Sequence, residues 1–203
     1  MIMKLGILSD IHESNEYLLK AIDVLTSRGV DQFILLGDLF ETGREIRETV
    51  GILRQIKTAG VFGNHDLGLA IEPDHESFDK YGQDVIEFFA TLKARHRHGD
   101  YLFSHVNPAW DATDSMVYYH SPLPWEDPEF GKSFEVHPCL AQFNGHYHCW
   151  LHAVDEIWTH WAGNTPLVLP KGHRHYVVHE AVFQGWCSLL DTDESVLTPI
   201  CLA

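Results

Sequence analysis

Residues 3–38 read MKLGILSDIHESNEYLLKAIDVLTSRGVDQFILLGD, and the change of texture along this stretch decides the fold. Residues 3–9 are mostly aliphatic and read as a buried strand. Residues 15–27 carry Leu18, Leu19, Ile22 and Leu25, apolar positions three and four apart that mark one face of a helix. Ser14 or Asn15 is placed to cap that helix, and Gly29 to end it. DQFILLGD then forms a second buried strand that stops at Asp38. Strand, helix and strand in this order predict parallel strands joined by a right-handed crossover. Both strands finish in polar groups, Asp10 and His12 after the first and Asp38 after the second. Such an ending is either an ordinary exit into a loop or a strand presenting metal ligands. These two loops alone do not decide.

Working outward, a second helix is expected over about 43–57, followed by a short strand and loop in AGVFGNHD (59–66). Residues 77–94 predict one helix, with Phe78, Tyr81, Val85, Phe88, Phe89 and Leu92 as its stripe. RHRHGDYLFSH (95–105) reads as a hairpin turning near Gly99 and Asp100. The region 106–138 is rich in Pro, Trp and acidic residues, without a period; it reads as a long loop with a short helix, inserted over a site. From residue 139 short strands dominate: CLAQFNGH, HAVDEIWTH, LVLP, HYVVHEAV and a last segment to Leu197. There is no repeat, low-complexity tract or linker. The expectation is one α/β domain over residues 1–203, with two packed sheets and helices outside.

Composition narrows the function classes. Fourteen Lys and Arg against 29 Asp and Glu give a formal charge of -15, a surface that repels polyanions and argues against binding long nucleic acid. A small anionic substrate stays compatible, because bound divalent ions reverse the sign locally. Met1 leads straight into the first strand, which leaves no room for a secretory signal, and no apolar run is long enough to cross a bilayer. A cytoplasmic protein without a membrane partner is therefore expected. Cys139, Cys149, Cys187 and Cys201 form no Cys-x-x-Cys pair and are expected to be reduced.

Five loops that follow predicted strands carry Asp, Asn and His: SDIH (Asp10, His12), GDLF (Asp38), GNHD (Asn64, His65), FSH (His105) and GHYH (His146, His148). Ligands in open α/β sheets gather where strands end in loops, and Asp, Asn and His are the donors that borderline divalent metals take. Residues i and i+2 of an extended segment project to one face, so Asp10 with His12, and His146 with His148, are expected to converge. Each motif alone has an ordinary reading as a turn or a core histidine. The ordered set is harder to obtain by chance.

The set Asp-x-His, Gly-Asp, Gly-Asn-His-Asp, His and Gly-His-x-His, running from Asp10 to His148, resembles the calcineurin-like metallophosphoesterase family, and most the small bacterial and archaeal phosphodiesterase-like members. The resemblance implies a four-layer α/β/β/α sandwich with two mixed sheets. It also implies two divalent or mixed-valence ions (Mn, Fe, Zn, Co or Ni). Asp10, His12, Asp38 and His148 would hold one ion. Asp38, Asn64, His105 and His146 would hold the other, with Asp38 bridging. A hydroxide shared by the ions would attack the phosphorus of a small phosphodiester or phosphomonoester, with His65 as general acid. Glu41 stands where the protein-phosphatase branch has Asp, and Thr42 where it has Arg. Glu41 or Asp66 would orient His65. The missing arginine weakens the reading as a serine/threonine protein phosphatase, and the complete ligand set weakens that of a non-catalytic scaffold. Trp110, Tyr118, Tyr119, His120 and Trp125 could stack on an aromatic moiety or pack the insertion. His173, His175 and His179, outside the family pattern, are expected to be structural or on the surface.

Overall fold

The structure is a computed structural model and describes residues 3–127 and 130–202. The first half runs β1 (Lys4–Leu8), α1 (Asn15–Ser27), β2 (Gln32–Leu36), α2 (Ile46–Leu53), β3 (Thr58–Val61), α3 (Leu67–Ala70), α4 (His75–Tyr81) and α5 (Gln83–Phe89). The second runs β4 (Arg95–His98), β5 (Tyr101–Ser104), α6 (Ser115–Tyr119), α7 (Lys132–Val136), β6 (Ala141–Asn144), β7 (Leu151–Val154), β8 (Ile157–Trp158), β9 (Leu167–Val168), β10 (His175–Val178), β11 (Trp186–Asp191) and β12 (Val196–Cys201).

Two six-stranded sheets result, ordered β3-β2-β1-β11-β12-β9 and β4-β5-β6-β10-β7-β8. Both are mixed. β1, β2 and β3 pair in parallel and β1 pairs antiparallel with β11, while β5, β6 and β10 are parallel and β10 pairs antiparallel with β7. The alternation of side chains along each strand separates the layers. Leu5 and Ile7 of β1, Ile34 and Leu36 of β2, Phe103 of β5, Phe143 of β6 and Val177 of β10 fill the space between the sheets. Leu8, Phe33 and Leu35 point the other way, onto Leu18, Ala21 and Leu25 of α1 and Val50 and Leu53 of α2. On the outer face of the second sheet Tyr176 and Val178 meet Phe134 of α7. The four-layer sandwich is therefore present, with a second helical layer that is thin.

Four local expectations are corrected. Residues 77–94 are not one helix: α4 ends and α5 begins at Gly82, whose φ of 88° no helix accommodates. The stretch 152–160 is not one strand either. Asp155 and Glu156, at φ 47° and 67°, turn β7 back into β8. Asp-Glu is an unusual pair for a turn that needs two left-handed residues, so composition did not signal it. Ser14 occupies the cap position of α1 but makes no side-chain cap bond. Finally, the insertion holds two short helices, α6 and α7, and is tied to the sheet by Arg95, which donates to the carbonyls of Pro108 (2.6 Å) and Trp110 (2.7 Å). No helix among the described residues is long and apolar enough to cross a membrane.

Candidate metal centre

The strands β1, β2, β3, β5 and β6 end at one edge of the sandwich, and the loops that follow them carry all seven expected ligands. Convergence does not come from the extended backbone that spacing suggested. Asp10, His12, Asp38, His146 and His148 have φ of 50°, 46°, 53°, 71° and 50°, so each sits in the left-handed region. Non-glycine residues held there cluster at functional sites, where the surrounding structure over-determines them. Two glycines make the approach possible. A Cβ on Gly63 would overlap the Asp38 carboxylate, and one on Gly37, at φ 92°, would lie 2.6 Å from His105 Nδ1.

The donor atoms of Asp10, His12, Asp38 and His148 lie within 4.8 Å of one another, and so do those of Asp38, His105 and His146. Asp38 belongs to both groups. Its Oδ2 is 3.3 Å from His105 Nε2 and 3.7 Å from His12 Nε2. Asp10 Oδ1 is 3.2 Å from His148 Nε2. Asn64 Oδ1 faces His146 Nδ1 at 2.9 Å and His105 Nε2 at 3.1 Å, which adds it to the second group. His65 donates its backbone N–H to Asp38 Oδ1 (3.0 Å), leaving Oδ2 to the centre.

These residues fit divalent cations. Asp10, Asp38 and His105 are essentially fully buried, and buried carboxylates need a compensating positive charge. His12 Nε2 is buried without a hydrogen-bond partner and faces the Asp38 carboxylate, while its Nδ1 is 2.7 Å from Glu41 Oε2. His105 Nδ1 is 2.7 Å from the Leu36 carbonyl, which can only accept, so Nε2 presents a lone pair to the centre when the ring is neutral. Holding the distal nitrogen in this way is the usual support of a ligating histidine. Burial opposes charge on His105, but the Asp38 carboxylate outweighs it and raises the ring to about 9. Burial likewise opposes ionisation of Asp38, and His105 and His65 overcome it, holding the carboxyl well below the usual range.

Two buried acids shape the loop between Asp38 and Glu45. Asp66 accepts from the backbone N–H groups of Leu39 (2.9 Å), Phe40 (3.0 Å) and Gly63 (2.9 Å). Glu13 accepts from those of Glu41 (2.9 Å), Gly43 (2.6 Å) and Glu45 (2.8 Å). Asp66 is thus a backbone clamp and not the orienter of His65, which corrects that expectation. The Glu41 carboxylate comes to the His65 ring instead, Oε2 standing 3.4 Å from Nδ1. Glu13 was missed because its role is played against backbone amides, which leave no mark on residue type.

A cleft of about 580 Å³ opens over the centre, lined by His12, Ser14, Glu41, His65, His148 and Phe183. Phe183, also missed, sets its ring edge-to-face on His12 (5.1 Å) and His148 (4.9 Å). It arrives from the turn before β11, far from any motif. Arg44 lies outside the cleft, on an adjoining recess shared with Glu41 and Thr42. Of the aromatic residues in the insertion, Tyr118 packs near His105 and His146 at 6.0 and 5.9 Å. Tyr119 and Trp125 face solvent, and Trp110 and His120 line a separate cavity. His173 pairs with Asp155 at the surface, while His175 and His179 are buried in the second sheet, outside the donor groups.

A family model for calcineurin-like phosphoesterases matches residues 3–174. The chain belongs to the calcineurin-like phosphoesterase family. Membership makes it a relative of phosphoester hydrolases and agrees with the Asp and His cluster as a binding place for divalent metal. Its fold is that of a metallophosphoesterase from Sphaerobacter thermophilus, with a TM-score of 0.76 at 21% identity over 100% of this chain and 89% of that one. It is also that of an archaeal phosphodiesterase, with a TM-score of 0.56 at 12% identity over 98% and 99% of the two chains. The protein MJ0912 of Methanocaldococcus jannaschii is 26% identical over 159 residues, which are 63% of this chain and 65% of that protein. The chain therefore spans just under two thirds of that protein's length.

Proposed function

We propose that this chain hydrolyses a small phosphodiester with two divalent or mixed-valence ions, drawn from Mn, Fe, Zn, Co and Ni. The observation that carries the reading is the sharing of Asp38 by two groups of donors. Asp10, His12, Asp38 and His148 would hold one ion, and Asp38, Asn64, His105 and His146 the other. Ions bound there supply Lewis acidity, lowering the pKa of water and offsetting the charge of phosphoryl oxygens.

The remaining work falls to the side chains. Asp38 keeps one oxygen on the His65 N–H and offers the other to both donor groups. The amide oxygen of Asn64 is neutral and quenches less charge than a carboxylate would. His65 stands at the cleft with its side chain 37% exposed and would pass a proton to the departing ester oxygen. Glu41, whose Oε2 stands 3.4 Å from Nδ1 of that ring, would orient it. Phe183 and the histidine rings give the cleft an apolar wall for an ester substituent.

The preference for a diester rests on what lines the cleft: no Lys or Arg is among its lining residues, and Glu41 adds a negative charge. A phosphomonoester dianion gains most from an arginine fork, whereas a diester monoanion needs less. Assays with manganese are therefore expected to give a higher kcat/KM for bis(p-nitrophenyl) phosphate than for p-nitrophenyl phosphate. The reverse order would overturn the diester assignment, and a phosphopeptide preferred over both would favour a protein phosphatase. The acidic surface supports a small substrate over long nucleic acid, and a cytoplasmic setting is part of the same proposal.

A further inference from the structure

The segment 106–138 reaches the centre through Ser121 as well as the Tyr118 ring. Ser121 Oγ lies 2.8 Å from the Tyr118 carbonyl and 3.1 Å from His146 Nε2. A carbonyl oxygen only accepts; with the hydroxyl proton given to Tyr118, a lone pair of Oγ is turned to the imidazole. A neutral His146 ring then carries its proton on Nε2, donated to Ser121. Nδ1 is left bare on the opposite side, 2.9 Å from Asn64 Oδ1 and within the group formed with Asp38 and His105.

The alternative tautomer is close at hand. With its proton on Nδ1 the ring would donate to Asn64 Oδ1, and an N–H would occupy the place where a ligand needs a lone pair. Glu41 settles the same choice for His12, at 2.7 Å from Nδ1, and the Leu36 carbonyl settles it for His105, also at 2.7 Å. For His146 the partner comes from the insertion. That part of the insertion is itself pinned: Tyr118 Oη donates to the Ala112 carbonyl (2.9 Å) and Tyr147 Oη to the Pro122 carbonyl (3.1 Å).

We propose that Ser121 is a positioning residue that holds His146 in its metal-ligating tautomer, so that the insertion completes one of the two metal positions. The proposal rests on the two-metal reading above. A purely structural role is the competitor, since the bond from Ser121 to Tyr118 also closes the end of α6.

Calorimetric titration of the metal-stripped full chain with Mn²⁺ separates these. The wild type is expected to bind two ions. Ser121→Ala is expected to bind one with unchanged affinity and the other about 10–100-fold more weakly, the usual effect of losing a histidine's outer partner. Ser121→Thr, which keeps the hydroxyl, is expected to restore the second. Equal affinities in the alanine variant and the wild type would overturn the proposal, as would equal weakening of both positions alongside a lowered melting temperature. A wild-type chain that takes up no Mn²⁺ would instead remove the two-metal reading itself, before any variant is compared.

Discussion

Asp38→Asn is expected to abolish turnover of bis(p-nitrophenyl) phosphate in manganese while leaving the chain folded. The amide keeps an oxygen for the His65 N–H, the bond that Asp38 Oδ1 makes at 3.0 Å. It replaces the other oxygen, now 3.3 Å from His105 Nε2 and 3.7 Å from His12 Nε2, with a group that only donates. It also removes the negative charge placed between the two donor groups. Losing the outer partner of one ligand costs roughly 10–100-fold. Losing a ligand common to both positions costs more, so activity should fall to the metal-free background. Steady-state assays beside metal analysis and circular dichroism check this. A folded variant that keeps two ions and turnover within about tenfold of wild type, inside even that outer-partner range, would refute the shared ligand.

His65→Ala is expected to lower kcat by about 10²–10⁴-fold, the range of a lost proton donor, with both ions retained. The ring lies at the cleft, touches Glu41 and meets His12 edge-on at 4.8 Å. The loss should be larger for a diester with a poor alkoxide leaving group than for one releasing p-nitrophenolate, because a stable anion departs without a proton. Equal losses on both substrates would argue against proton donation. There is a second way to read the site: His12, Glu41 and His65 also have donor atoms within 4.8 Å of one another. If that trio held an ion, His65→Ala would lower the metal content, and the two measurements together decide between donor and ligand.

Much of the architecture was legible because apolar texture and strand order constrain it. Parallel strands need crossovers, and buried strands on both faces need layers on each side. The ends of β1, β2, β3, β5 and β6 were readable for the same reason: once the strands are in place, the polar residues after them share an edge. The route by which Asp10, His12, Asp38, His146 and His148 turn inward was not readable. Asp and His are common in extended backbone and are also among the non-glycine residues that most often turn left-handed, so residue type does not choose between the two. Glu13, and the clamping role of Asp66, escaped for a related reason. Each serves three backbone amides, and an amide looks the same whatever residue bears it. The break at Gly82 was hidden because the stripe from Phe78 to Leu92 continues in phase across it, while the φ of 88° that ends the helix leaves no trace in periodicity. Phe183 and Ser121 reach the centre from distant segments, and nothing local marks them.

Two cations sharing the Asp38 carboxylate are the core of the proposed chemistry. Anomalous diffraction from crystals grown with Mn²⁺ tests it most directly. Two peaks are predicted, about 3.5–4 Å apart, with Asp38 touching both. One should lie among Asp10, His12 and His148, and the other among Asn64, His105 and His146. A single peak, or an ion seated on His12, Glu41 and His65 away from Asp38, would contradict it.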